Sequence, residues 1–402
     1  MDMIKIIKNE IYKFFKNKKN IIIIILFFAY LLGINFYNLK EYKMYMNETK
    51  QSYHAKYLQA EGSWRSLSKM LVRTDLLSTE EIEEIEKKIV FYRAERGNLR
   101  FIEAKYVNNR PEYYRDILIY TNERYENMLK GLENGAVTEE NINLSKENIQ
   151  KGMYLNKYIL DNDIEPIINP YTMTGANSLV MFLEGNNSII LIFFIVLLAV
   201  DIYLSEVEEG SYKLAYTQPF QRINIFWGKV ITILIVSLSL IALGVILNFC
   251  ILSIIYGVGN MNYPFISAES IKHISFSNVH GEYIILPLWK YVIMGFGLLI
   301  PILICTIALI ISISIFTDSN RKTIGISIML LVLAFIFHNF LTKKSIVNLI
   351  YPYSYLYARD AIELNTRSNY LFGILLNSLI GIGLFIMSYY KFVQKDFLGA
   401  KE

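Results

Sequence analysis

Long apolar stretches fill most of the second half of the chain, and one more lies near its start. They are rich in Ile, Leu, Phe and Val and approach the length of about 20 residues that a helix needs to cross a bilayer. The apolar residues are clumped, whereas the surface helices of soluble domains carry them at periodic positions. The pattern therefore predicts membrane spans at residues 20–37, 188–204, 225–256, 288–316, 323–341 and 370–390.

The residues ahead of the first span have apolar and basic side chains at helical spacing. Ile4, Ile7, Ile11, Phe14 and Phe15 recur on one side, and lysines occupy the other. This arrangement predicts an amphipathic elbow helix lying on a charged membrane surface. The alternative is a basic flank that only sets the orientation of the first span. No small-residue cleavage site follows, so we expect this span to be retained and not removed as a signal peptide.

A long polar insert, residues 38–187, separates the first two spans and contains most of the acidic residues. It has no apolar run long enough to cross a membrane. Ser78 and Glu81 have the spacing of a capping box, which predicts a helix start. Thr138, followed by two glutamates, predicts the start of another helix that continues through Tyr158. We expect a small domain of antiparallel helices.

Charge and composition support the membrane interpretation. The chain is 53% hydrophobic and 19% charged, and its net charge of +4 is too small to indicate nucleic-acid binding. The lysines before the first span place the N-terminus in the cytoplasm. Alternation then places the links at residues 206–229 and 317–322 and the tail from residue 391 on the cytoplasmic side. These segments are rich in Lys and Arg, as the positive-inside rule requires.

The fold class that follows is an all-α polytopic membrane protein. It has six transmembrane helices, an N-terminal elbow helix and a helical extracytoplasmic insert. The expected divisions are residues 1–37 for the elbow and first span, 38–187 for the extracytoplasmic domain, and 188–402 for a transmembrane domain with five spans. We expect a multi-pass protein of the bacterial plasma membrane with both termini in the cytoplasm.

The link after the second span reads DIYLSEVEEGSYKLAYTQPFQRINIFWGKVI. It is acidic at its start, broken by a glycine, turned by a proline and basic at its end, which by physics alone suits any loop. Its spacing, however, resembles the coupling helix of the ABC type 2 transporter permeases, E-x-E-E-G-(T/S) … P-x-x-R-x-x-x-x-x-G-K. The matching residues, near 205–225 and just after, are Glu206, Glu208, Glu209, Gly210, Ser211, Pro219, Arg222, Gly228 and Lys229.

The likeness to this family covers residues 1–37 and 188–402, including an aromatic segment, IYPYSYLYA, before the last span. The insert of about 150 residues departs from the smallest members of the family. The resemblance implies a permease subunit of an exporter that is driven by a separate ABC ATPase. The three glutamates would meet the ATPase, Arg222 and Lys229 would fix the link at the level of the headgroups, and Gly210 and Pro219 would set its shape.

The same resemblance implies two ATPase copies, and either a second copy of this chain or a similar permease, in a membrane of lipid. ATP and Mg would bind to the ATPase, because this chain has no G-x-x-x-x-G-K-[ST] and no cofactor is expected on it. Motifs for metal or nucleophilic chemistry are also missing from the sequence, so no catalytic residue and no metal ligand is predicted. The cargo that we expect is amphipathic: a peptide, an antimicrobial or a lipid-like molecule.

Two other functions remain as alternatives. A membrane-anchored sensor or binding protein would use the insert as a receptor, and it would need no ATPase. An intramembrane enzyme acting on lipids would need convergent polar residues within several spans, and the sequence shows few.

Overall fold

The computed structural model describes residues 2–72, 78–108, 110–184, 186–200, 202, 221–266, 283–317, 319–340, 345–362 and 370–394. This part of the chain is almost entirely helical, which confirms the all-α class. Its one sheet pairs two antiparallel three-residue strands, β1 (Pro264–Ile266) and β2 (Ile285–Pro287).

Two helices begin the chain, α1 (Asp2–Lys16) and α2 (Lys18–Leu71). The Asn17 side chain accepts a hydrogen bond from the backbone N–H of Lys19 and so caps α2. With 54 residues, α2 is about 80 Å long, far more than the roughly 30 Å of a hydrocarbon core. The helix of the first span therefore does not end near residue 37 but continues without a break into the polar insert.

The rest of the insert consists of the helices α3 (Thr79–Asn108), α4 (Tyr114–Glu133), α5 (Glu139–Ile142) and α6 (Lys146–Asp161). Paired side chains show how they run. Between α2 and α3, His54 contacts Glu103, and Glu61 forms an ion pair with Arg96. Between α3 and α4, residue 95 meets 124 and residue 105 meets 116. In both helix pairs the residue number rises along one helix while that of its partner falls along the other. These helices are therefore antiparallel, as predicted.

The two predicted helix starts in the insert have different outcomes. Ser78 and Glu81 exchange hydrogen bonds, with the Ser78 N–H donating to Oε2 of Glu81 at 2.8 Å, which confirms the capping box. Thr138 also caps a helix, but that helix ends at Ile142. Asn143 has a left-handed backbone (φ 54°), and Ser145 caps the new helix α6. The prediction of one helix through Tyr158 was therefore wrong.

A buried ion pair joins α3 to α4 inside the insert. Nε of Arg124 donates to Oε1 of Glu95 at 2.6 Å, and both side chains are about nine-tenths buried. Burial raises the pKa of Glu95, and the nearby Arg124 opposes that rise only in part. The folded state therefore holds the Glu95 proton more tightly than the unfolded chain does.

This shift predicts how stability depends on pH. Because the pKa of Glu95 is raised on folding, its favourable contribution is complete below the ordinary glutamate pKa and is lost as the pH rises through the folded value. Relative to Glu95→Gln, the wild type should gain thermal stability as the pH falls from neutral into the acidic range. The exposed Glu83 is the control. Glu83→Gln should still gain thermal stability, relative to the same variant with Glu95→Gln, as the pH falls. Parallel profiles for the wild type and Glu95→Gln would contradict the prediction.

The second half of the chain forms the apolar bundle. Its helices are α7 (Gly175–Leu183), α8 (Asn187–Ala199), α9 (Arg222–Tyr256), α10 (Leu288–Thr317), α11 (Asn320–Phe340), α12 (Ile346–Ile350), α13 (Ala358–Ile362) and α14 (Tyr370–Gln394), with a 3₁₀ helix at Pro352–Leu356. Among the described residues, α2, α9, α10, α11 and α14 are long and apolar enough to cross a membrane. Helices α7 and α8 pass the same test only as a pair, bent by 69°, and would make a sixth span.

Helix α10 lies at the centre of the bundle and is the most buried of these candidate spans. It packs most extensively against α14, where Oγ of Ser312 lies 2.5 Å from Oγ of Ser388. Gly381 of α14 lies against the backbone of Cys305 in α10. The Pro352–Leu356 segment packs on this core through the buried Tyr353 and Tyr355.

Candidate coupling site

The structure describes three of the nine predicted site residues, Arg222, Gly228 and Lys229, and all three lie in the first turns of α9. The others, Glu206, Glu208, Glu209, Gly210, Ser211 and Pro219, lie outside the described residues. The geometry of the site is therefore that of the helices on either side of the predicted coupling segment.

Lys229 is the centre of this geometry. Its Nζ lies 3.0 Å from Oε2 of Glu10 in α1 and donates to the backbone carbonyl of Ile202 at 3.1 Å. The side chains of Lys229 and Glu10 are 6% and 9% exposed, so the ion pair is buried. Nζ of Lys13, a half-exposed side chain, lies 3.3 Å from the other carboxylate oxygen of Glu10. One ammonium group thus links α1, α9 and Ile202, which follows α8 in the chain.

Gly228 lets α1 approach α9 closely. A Cβ at this position would lie 2.6 Å from Cγ2 of Ile6, which is shorter than any ordinary contact. The carbonyl of Gly228 also accepts a hydrogen bond from Oγ1 of Thr232 one turn later. Gly228 therefore has a packing role, and any larger side chain would push α1 away from Lys229.

Protein covers only part of the predicted apolar face of α1. Ile6, Glu10 and Phe14 are buried, whereas Ile4 and Phe15 are exposed. The predicted face of Ile4, Ile7, Ile11, Phe14 and Phe15 is thus divided between a side that contacts α9 and a side left open beside the lysines. The reason is that α1 packs against protein as well as presenting an amphipathic surface.

Arg222 connects the start of α9 to the end of α14. Its Nη1 donates to the backbone carbonyl of Val393 at 2.7 Å. One turn further, the ring of Phe226 packs against Phe392, with ring centroids 5.5 Å apart, and Phe392 is completely buried. The first and last helices of the chain therefore meet the start of α9 at the same end of the bundle.

The sequence pattern did not predict Glu10, Ile6 and Val393 as parts of this site. Glu10 is four residues after Ile6 and four before Phe14, so it lies in the middle of a buried helical stripe. An acidic residue on an apolar stripe indicates a buried partner, and this signal was present in the sequence. Its partner, 219 residues away, was not.

The site is a junction between helices. Three helices and Ile202 are held together by one buried ion pair, hydrogen bonds to two backbone carbonyls and packed aromatic rings. Within the described ranges, no group of three or more His, Cys, Asp or Glu side chains could hold a metal ion. The junction connects the residues that flank the 203–220 segment to α1, α9 and α14.

Residues 4–396 match a family of membrane proteins described as ABC-2 family transporter protein. No curated protein and no solved structure matches the chain. The match extends over nearly the whole sequence, insert included, and agrees with the apolar helices of the bundle. It supports a multi-pass membrane permease subunit that partners an ABC ATPase and is a transporter component, not itself an enzyme. The chain belongs to the ABC-2 family of transporter proteins.

Proposed function

We propose that this chain is the permease of an exporter that moves an amphipathic cargo, such as a peptide, an antimicrobial or a lipid-like molecule, out across the bacterial plasma membrane. Two copies of a separate ATPase bind ATP and Mg, and a second copy of this chain or a similar permease completes the path. Both termini lie in the cytoplasm, and the insert lies outside.

One observation supports the coupling role most strongly: the buried pair between Lys229 and Glu10. In the proposal, the ATPase contacts the segment from Glu206 to Ser211, which is joined to the junction at Ile202 and Arg222. Lys229 binds both Glu10 and Ile202, and Arg222 binds the carbonyl of Val393 in α14. In this proposal, displacement of that segment therefore reaches α1, α9 and α14 together. The ATPase shifts the permease between two states only if it binds them with different affinities.

The test is the ATPase activity of the purified complex. Glu206→Ala, Glu209→Ala and Arg222→Ala should each weaken the stimulation of the ATPase by the permease. The expected loss is about 5-fold to 100-fold, the range of a typical coupling free energy. Glu83→Ala, which removes an exposed acidic residue in the insert, is the matched control and should leave the stimulation unchanged. Full stimulation in all three variants would remove the site assignment.

The same purification distinguishes the main alternative. A membrane-anchored sensor that uses its insert as a receptor would be isolated without a P-loop ATPase and would tolerate all three substitutions. Recovery of an ATPase with the wild-type chain supports the exporter.

A further inference from the structure

A small cleft lies among the membrane helices at the end near the insert, remote from the coupling junction. It is formed by α2, α7, α8 and α9, at the bend between α7 and α8. Its polar lining consists of Tyr30, Asn35, Asn38, Ser178, Asn187 and Asn248. Polar side chains inside spans are costly and mark functional sites by default. Four amides that converge on one cleft therefore require an explanation.

The packing of α9 defines the cleft from both sides. Towards the coupling junction, Gly244 brings α9 against α2, and a Cβ there would lie 2.8 Å from the ring of Phe27. Towards the insert, Gly175 brings α7 against α9 at Ser253, and the Gly175 N–H donates to the carbonyl of Gly257. Asn248 lies between these two close approaches.

Some of the hydrogen-bonding capacity of the amides is used between helices. Nδ2 of Asn35 donates to Oδ1 of Asn248 at 2.6 Å, which joins α2 to α9. The Tyr30 hydroxyl donates to Oδ1 of Asn187, whose Nδ2 donates to the carbonyl of Met181. These bonds secure the bend between α7 and α8, and they explain part of the cluster as structure.

The remaining capacity points to a ligand. Oδ1 of Asn35 is buried, and no donor among the described residues reaches it. Nδ2 of Asn38 meets only the sulfur of Met181 there, at 3.2 Å, and a thioether is a weak acceptor. The cleft thus offers one acceptor and one poorly used donor. A hydroxyl or an amide satisfies both, because each can donate and accept, whereas an ester carbonyl can only accept.

The size, charge and position of the cleft limit what enters. The enclosed space has room for about one water-sized group. None of the residues lining it is charged, so an ionised group would be buried without a partner. The neighbouring Leu32 and Phe36 of α2 and Leu247 and Ile251 of α9 are exposed and apolar. A molecule with an apolar body on this surface can insert a single uncharged polar group.

We propose that this amide cleft binds the hydroxyl or amide group of an uncharged amphiphile dissolved in the bilayer. The group donates to Oδ1 of Asn35 and accepts from Nδ2 of Asn38, and the apolar body lies along α2 and α9. This inference deepens the proposed function by naming the chemical class of the cargo, and it depends on that function only for the step from bound molecule to cargo.

The experiment uses the full-length chain in phosphatidylcholine vesicles, without nucleotide or ATPase, and Phe36→Trp as a fluorescent reporter beside the cleft. The emission of the same protein with Phe36 is subtracted as background. The quenchers are a dibrominated monoacylglycerol, which has free hydroxyls, and the methyl ester of the same brominated chain, which can only accept. At equal mole fraction the monoacylglycerol should be preferred about fivefold, the value of one net hydrogen bond.

Two variants test the residues separately. Asn38→Leu breaks no hydrogen bond between amides and so leaves the packing least disturbed; it should weaken the quenching by both probes, because both accept from Nδ2 of Asn38. Asn35→Leu should abolish the preference, because only the hydroxyl can donate to Oδ1 of Asn35. Asn339→Leu, which replaces an exposed amide in α11, is the matched control and should keep it. Equal quenching by both probes, a preference that survives in Asn35→Leu, or unchanged quenching in Asn38→Leu means that the cleft holds only water and overturns the proposal. Since no ATPase is present, failure of the coupling test would not affect this result.

Discussion

Replacing Lys229 with Met is expected to lower the free energy of unfolding by about 3–5 kcal/mol. The substitution keeps the apolar length of the side chain but removes its charge, and so leaves the Glu10 carboxylate buried opposite no ammonium group from α9. The backbone carbonyl of Ile202 loses its donor at the same time. Unfolding of the purified chain in mixed micelles measures the effect.

Lys13 provides the matched control, because it approaches the same carboxylate but is 48% exposed. Lys13→Met should cost less than about 1 kcal/mol, as exposed ion pairs usually do. Equal losses in Lys13→Met and Lys229→Met would show that burial of the Lys229 pair carries no special weight.

The double variant Glu10→Leu with Lys229→Met separates stability from coupling. Replacing both members of a buried pair by apolar residues often restores stability, because no charge is then left unpaired. If the double variant is stable and still stimulates the ATPase, the junction transmits displacement through packing alone. If it is stable but no longer stimulates the ATPase, the ion pair itself takes part in the change between the two states of the permease.

The spans that could be predicted best are those with continuous apolar sequence. Helices α9 and α10 begin and end within three residues of the predicted 225–256 and 288–316. Long runs without charge can avoid water only inside a membrane or a large core, so hydropathy alone locates them. The Lys and Arg residues of alternate links then predicted the orientation of the spans.

The sequence was less informative where helices continue through polar residues or stop within apolar ones. Helix α2 extends past residue 37 because a change in polarity does not interrupt backbone hydrogen bonds, and good helix formers follow. Helix α7 was not predicted, since its nine residues are too short for a span. The predicted start of the second span at residue 188 is close to the start of α8 but misses the bend before it.

The candidate site shows the same division. Arg222, Gly228 and Lys229 could be named from the sequence because their spacing resembles a family motif. Their contacts with Val393, Ile6 and Glu10 depend on how distant helices pack. A single sequence contains no direct record of that packing. Glu10 on an apolar stripe did indicate a buried partner, but not which residue it is.

The joint between α10 and α14 gives the second large expected effect. Gly381→Leu should destabilise the bundle by about 3 kcal/mol, the upper end of the usual cost of overpacking. A Cβ at Gly381 already lies 3.3 Å from Cα of Cys305, and backbone atoms cannot move aside as a flexible side chain can.

Gly383 lies two residues later on the same helix, with nothing within 4 Å of a Cβ placed there. Gly383→Leu changes the same residue type and should be neutral or stabilising by up to about 1 kcal/mol through helix propensity. Unfolding in mixed micelles compares the two variants directly, and equal stabilities would contradict the close approach of α14 to the backbone of α10.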